Sequence, residues 1–261
     1  MTKALSFKDH FSSGSADYAA FRPSYPPALF VWLATLCARH ELAWDCATGS
    51  GQAALELARH FKQVVATDAS AQQIAAAQRG AGVEYRVAMA EASGLDDGSV
   101  DLITVAQAVH WFELERFYPE VGRVLHRGGV IALWGYGRLI LPGEADQALE
   151  HFYAHTIGPY WPAERALVDD GYRSLAFPFE GISAPQFAIE VSWNLPRLLA
   201  YLSTWSAVKR YRAATGTNPL TALENELAAL WCAGRNAAAS CTTDQALALE
   251  WPLFLRVGRR A

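Results

Sequence analysis

Apolar and polar positions along this chain follow two periods. Short runs rich in β-branched and other apolar residues fall at 43–47, 63–68, 83–88, 100–106 and 128–135. Each is bounded by turn residues and too short for a helix, which is the pattern of a strand. Between them, residues 51–61, 69–79 and 114–125 repeat apolar side chains every three or four positions. In the last of these, Phe117, Val121, Val124 and Leu125 share one helical face. Strands that alternate with helices at this spacing pair in parallel, and the helices cover both faces of the sheet.

The flanks follow a different pattern. A helical stretch is expected at 26–39, led by the aromatic residues Phe7, Phe11, Tyr18, Phe21 and Tyr25, with Arg22-Pro23 and Tyr25-Pro26-Pro27 as stops. After the alternating region come a helix at 144–157, an irregular aromatic segment rich in Pro and Gly near 158–181, a strand at 187–193, and helices at 196–214 and 220–233. A last apolar run, 247–257, can return to the sheet as its terminal strand. The expected organisation is one domain over 1–261: an N-terminal lid and helix (1–40), a core (41–140), a cap (141–235) and a returning strand (246–261). Neither an internal repeat nor a low-complexity tract interrupts it.

Composition narrows the classes. With 52% hydrophobic residues the chain can bury a full core. The net charge of −4 is spread without long runs of either sign, so it lacks the basic footprint of a nucleic-acid binder. Cys37, Cys46, Cys232 and Cys241 show no metal-ligand spacing and read as buried thiols of a reducing compartment, with no metal expected. The first residues carry Lys3, Lys8, Asp9 and His10 without an apolar run, and no segment reaches the ~20 apolar residues of a membrane span. A cytoplasmic monomer or homodimer acting on a small molecule is expected, without nucleic-acid or membrane partners.

The first core strand runs into Asp45-Cys46-Ala47-Thr48-Gly49-Ser50-Gly51, whose glycines allow close backbone approach at a helix N-terminus. Gly49-x-Gly51-x-x-Ala54, with Asp68 seventeen residues after Gly51, also fits a dinucleotide fingerprint. Asp45 argues otherwise, because a carboxylate facing a pyrophosphate is repelled. Two acids at adjacent strand ends suit a cationic ligand such as the sulfonium amino acid of S-adenosylmethionine. A strand-end Asp45 that only caps the next helix is the alternative.

Beyond this loop lie Met89-Ala90-Glu91-Ala92, then Asp96-Asp97-Gly98-Ser99-Val100-Asp101, then Gln107-Ala108-Val109-His110-Trp111-Phe112. In this order the motifs resemble the class I methyltransferases of type 11. Within them, Tyr18-x-x-x-Arg22-Pro23-x-Tyr25-Pro26 and Tyr201-Leu202-Ser203-Thr204-Trp205-Ser206 are similar to small-molecule enzymes of the trans-aconitate methyltransferase kind. The resemblance implies an α/β fold with a Rossmann-like, doubly wound, seven-stranded and mostly parallel sheet, helices on both faces and a helical, aromatic cap. It implies S-adenosylmethionine as donor and S-adenosylhomocysteine as product. Gly49 and Gly51 would line the methionyl part, Asp68 the ribose, and Ala90 with Glu91 the adenine edge, while Gln107 would face the sulfonium; Asp45, which either holds the loop or engages the methionyl end through water, Ala47 and Ala69 complete the expected cofactor-binding set. Two positions depart from the family's pattern: Ala47 replaces a loop glycine, and Met89 replaces the polar residue before Ala-Glu.

At the reacting end, Trp111 and Tyr18 are aromatic candidates for contact with the methyl-bearing cation, Phe11 a weaker one, and core packing is the alternative for each. His110 can serve as a base, as a hydrogen-bond donor, or only as a loop tie. Arg22 and Arg138 are candidates to clamp a carboxylate, and Trp161, Trp193 and Trp205 to form either a lid or a core. The expected reaction is methylation of a small organic acceptor, with a carboxylate or other oxygen nucleophile foremost. A nicotinamide-dependent oxidoreductase and a non-catalytic S-adenosylmethionine-binding module are the competing readings.

Overall fold

A computed structural model describes residues 23–231 and 242–261. Its centre is a sheet of five parallel strands, β1 (Leu42–Cys46), β2 (Gln63–Asp68), β3 (Val83–Val87), β4 (Val100–Ala106) and β5 (Leu125–Tyr136), in the spatial order β3-β2-β1-β4-β5. The order reverses at β1, where the sheet is wound outward in both directions and ligands collect beyond the strand ends. β1 lies in register with both neighbours, Asp45 opposite Ala66 and Thr104. The burial of nearly every residue in β1, β2 and β4 is what a parallel sheet covered on both faces requires.

Successive side chains of β1 go to opposite faces. Ala43 joins Leu29, Phe30 and Leu33 of α1 (Pro27–Thr35) and Ala53, Ala54 and Leu57 of α2 (Gln52–Leu57). Trp44 joins Phe117, Val121 and Val124 of α4 (Leu114–Val124) on the other face. The short α3 (Ala71–Ala76) starts on Ser70, whose hydroxyl accepts from the Gln73 amide, and stops where Ala77 turns extended.

The returning strand β8 (Leu247–Arg259) pairs antiparallel with β5, Trp134 opposite Leu255. It is 13 residues long, and its outer edge is shared by two strands, β6 (Glu180–Ile182) against its C-terminal end and β7 (Phe187–Trp193) against its N-terminal half. The sheet therefore has eight strands among the described residues, not seven. Pro185 stands between β6 and β7, where a residue without an N–H cannot continue the ladder.

The cap forms its own apolar cluster around Tyr136, Leu149, Leu198, Leu223, Trp231 and Trp251. Its helices are α5 (Glu144–His151), continued by a π-type turn at Phe152–Thr156, α6 (Arg165–Asp169), α7 (Leu195–Ser203), α8 (Ser206–Thr215) and α9 (Leu220–Leu230). The single helix expected at 196–214 is broken. Ser203 and Thr204 bond back to the carbonyls of Ala200 and Tyr201, and Trp205 is extended. No described helix is long and apolar enough to cross a membrane.

Candidate cofactor and acceptor site

At the C-terminal end of β1, Asp45 is 1% exposed. Its donors are all neutral: the Thr48 hydroxyl at 2.5 Å, the Thr104 hydroxyl of β4 at 2.8 Å, and the backbone of Ala54 in α2. Burial pushes its carboxyl up to about 6 against the pull of those hydrogen bonds, and the charge of Asp68 pushes the same way. No cation forms a salt bridge with Asp45 among the described residues.

The loop that follows is tied to β2 by the Thr48 amide, which donates to the Thr67 carbonyl at 2.9 Å. Ala47, Gly49 and Gly51 all take left-handed φ, 56°, 53° and 85°. At Ala47, where the family pattern has glycine, this conformation costs about 1–2 kcal/mol. Gly51 begins α2, and a Cβ there would lie 2.4 Å from the hydroxyl oxygen of Tyr85 on β3, so a side chain is excluded both by φ and by space. Around Gly49, by contrast, an added Cβ would meet nothing within 4 Å. Among the described residues, nothing covers the backbone at Gly49.

Asp68 closes the far side of this loop. One carboxylate oxygen accepts from the Gly49 amide at 3.0 Å and the other from the Ser70 amide at 2.9 Å, so it sets the loop against the start of α3, with Ala69 between. After β3, Met89 and Ala92 form an isolated bridge that presents the buried Ala90. Glu91 accepts from the Glu113 amide at the start of α4, 3.0 Å away, and so fastens the segment after β3 to the segment after β4. Gln107 has φ 55°. Its side-chain amide donates to the Tyr136 carbonyl at 2.9 Å, reaching across to β5, and its buried Oε1 has no hydrogen-bond partner among the described residues. Gly135 makes room for it, since a Cβ there would lie 2.5 Å from that oxygen.

Beyond Gln107, Val109–Trp111 form one 3-10 turn. His110 and Trp111 lie ring to ring at 4.8 Å, and His110 Nδ1 is 2.8 Å from the hydroxyl of Tyr172. Tyr18, Arg22 and Phe11 fall outside the described residues. Arg138 is no open clamp: its guanidinium binds Asp146 at 2.6 Å and Glu150 at 2.6 Å. Trp193 is a core residue against Trp251 and Tyr201. Trp161 and Trp205 pack on each other at 5.5 Å, with Arg165 over Trp161.

Sequence reading missed the neighbours that matter most to the site. Thr104 and Tyr85 come from separate strands, and Tyr172 from an irregular segment that offered no periodic signal. The donor set nevertheless fits a cationic ligand with hydroxyls. Two carboxylates close enough to repel flank the glycine loop at the strand reversal, where the described residues leave Gly49 uncovered.

Residues 44–133 match the model of a methyltransferase domain family. A Dictyostelium discoideum protein named as a methyltransferase is 37% identical over 225 residues, covering 85% of this chain and 86% of that protein. A solved structure described as a type II methyltransferase from Anaeromyxobacter dehalogenans superposes with a TM-score of 0.85 at 41% identity, over 92% of this chain and 98% of that one. An uncharacterised methyltransferase of Mycobacterium tuberculosis is 39% identical over 126 residues, about half of each chain. The chain belongs to the class I S-adenosylmethionine-dependent methyltransferases. It is an enzyme of that class, and the nicotinamide and non-catalytic readings fall with this result.

Proposed function

We propose that this enzyme methylates an oxygen of a small organic acceptor, a carboxylate foremost, with S-adenosylmethionine held by Asp45, Gly49, Gly51, Asp68, Ala90 and Glu91. The observation that carries the donor half is the buried Asp45, with neutral donors only among the described residues, next to a loop that the described residues leave uncovered at Gly49. Such a carboxylate favours a nearby ammonium. Asp68 accepts the ribose hydroxyls, Ala47 and Ala69 shape the walls, and Gln107 borders the reacting end. When bound, S-adenosylmethionine would supply an electrophilic methyl group that an acceptor oxygen takes in line, with S-adenosylhomocysteine as the leaving group.

On the acceptor side, His110 and Trp111 follow Gln107 just beyond the end of β4, and Tyr18 and Arg22, which lie outside the described residues, are assigned to the acceptor on the strength of their sequence motif alone. A carboxylate is ionised at neutral pH, so these groups need only orient it and keep water away. The subgroup resemblance in the N-terminal and Tyr201–Ser206 motifs supports this acceptor class, and with Arg138 paired to Asp146 and Glu150, Arg22 is the arginine of that motif proposed to meet the carboxylate.

Two measurements test the reading. S-adenosylhomocysteine should bind the purified enzyme at least tenfold more tightly than NAD(H), and Asp68→Ala should weaken it by roughly ten- to a hundredfold, about 1.4–2.7 kcal/mol. Unchanged affinity in that variant contradicts the ribose role. Transfer of labelled methyl from S-adenosylmethionine to a panel of carboxylic acids, phenols and amines should yield base-labile esters. Exclusive labelling of the amines would overturn the acceptor assignment.

A further inference from the structure

Tyr172 is 0% exposed, yet it keeps its one polar atom against a residue of the candidate site. It follows Gly171, and both take left-handed φ, 64° and 58°. That conformation is unusual for a bulky side chain and persists only where the surroundings impose it. Here three contacts do so. The Tyr172 amide donates to the Leu167 carbonyl at 2.9 Å, Arg256 of β8 donates to the Tyr172 carbonyl at 2.7 Å, and the ring stands edge-on to Phe254 at 4.9 Å. The backbone of α6, the strand β8 and an aromatic neighbour thus place one hydroxyl at one ring nitrogen.

Which atom donates follows from burial. Loss of hydration pushes the Tyr172 phenol well above its ordinary value, so it keeps its proton. That proton has one hydrogen-bonding acceptor among the described residues, His110 Nδ1. An imidazole carrying its own proton on Nδ1 would leave a buried O–H with nothing to donate to, which is the costly arrangement. Nδ1 is therefore the lone-pair nitrogen, and the ring proton sits on Nε2. Trp111, at 4.8 Å, sets the plane of the ring.

We propose that Tyr172 is a positioning residue that holds His110 as the neutral Nε2–H tautomer, so that toward the methyl acceptor the ring is an N–H group and cannot act as a base. The second half rests on the reading of His110 as an acceptor-facing group. It adds a selectivity rule: an acceptor oxygen must arrive already ionised, because the residue beside it has no free lone pair with which to take a proton.

The test uses the full chain labelled with ¹⁵N-histidine and long-range ¹H–¹⁵N spectra at pH 7.5, with His110 identified by its absence in His110→Gln. In the wild type, Nδ1 should resonate as a pyridine-type and Nε2 as a pyrrole-type nitrogen. A protonated Nδ1, or an imidazolium, overturns the proposal without any variant. Tyr172→Phe keeps the ring and its packing, and should move both nitrogens toward the averaged values of exchanging tautomers. An unchanged spectrum in that variant overturns the role of Tyr172. Acetate and benzoate, titrated in the presence of S-adenosylhomocysteine, should shift the Nε2 resonance. A correct tautomer that responds to neither would overturn the acceptor-facing reading of His110 while leaving the hold by Tyr172 standing, so the two failures are distinct.

Discussion

Asp45 and Asp101 are buried carboxylates on the adjacent strands β1 and β4, one at each end of the sheet, 1% and 0% exposed. Asp101, at the N-terminal end, accepts from the amides of Glu41 at 2.7 Å and Leu42 at 3.0 Å. Its other oxygen faces Arg39 at 3.3 Å and His126 at 3.1 Å. Asp45, at the C-terminal end, has two hydroxyls and a backbone amide but no cation among the described residues. The contrast separates structure from function. A carboxylate held by backbone amides, an arginine and a histidine ring fastens the sheet, whereas one held by neutral donors keeps an electrostatic demand that a cationic ligand can meet.

The largest effect should come from the fastening end. Asp101→Ala strands two backbone amides and removes the partner of Arg39 and His126, and should lower stability by about 3–5 kcal/mol in urea denaturation, mostly through the unpaired amides, while S-adenosylhomocysteine affinity of the folded fraction stays within twofold. A loss below about 1 kcal/mol would erase the distinction between the two ends.

At the other end, the sign follows from the raised carboxyl of Asp45. Its folded value of about 6 lies above the unfolded value of about 3.9, so the folded state binds the proton more readily between those limits. The contribution of Asp45 to stability is present in full below about pH 4 and is lost as pH rises through 6, a change of roughly 3 kcal/mol at most. Asp45→Asn should flatten this part of the pH profile and leave the free protein more stable at pH 8. Equal slopes in both proteins would show that Asp45 carries no such strain.

A smaller effect links the same group to binding. An ammonium beside Asp45 favours the ionised form, so S-adenosylhomocysteine should bind with release of protons near pH 6. Affinity should rise by up to about tenfold from pH 5 to pH 7. Calorimetry in two buffers of different ionisation enthalpy reads the proton count, and Asp45→Asn should abolish the pH-dependent part. The smallest effect is expected at Ala47. Ala47→Gly relieves a left-handed Ala worth about 1–2 kcal/mol but frees the unfolded chain by about 0.4–1 kcal/mol, for a net gain of about 1 kcal/mol or less. A destabilised Ala47→Gly would mean that its methyl group packs usefully.

Much of the core was legible because its signals are local. β2 and β4 match their expected spans, and the Gly49-Ser50-Gly51 turn opens α2 as read, since glycine alone tolerates the φ of 85° at Gly51. Legibility failed where the decisive partner is remote. Arg138 read as a clamp because Asp146 and Glu150 come onto it only once α5 folds back. For Glu91, the bond to the amide of Glu113, 22 residues away, was invisible in the sequence, and it stands beside the proposed cofactor role without deciding it. The helix expected at 196–214 failed for a local reason that periodicity does not weigh, the back-bonding of Ser203 and Thr204.

By itself the sequence determined the alternating α/β core, the loop with its two glycines, the acids at the ends of β1 and β2, and the methyltransferase class those motifs resemble. Each of these depends on residues close together in the chain, where spacing translates directly into geometry. Only the tertiary structure decided that the last sheet position is divided between β6 and β7, that Asp101 fastens while Asp45 waits, and that Tyr172 meets His110. The hydroxyl and the imidazole are 62 residues apart. They meet because β8 and α6 hold Tyr172 in a conformation that no local preference of tyrosine would select.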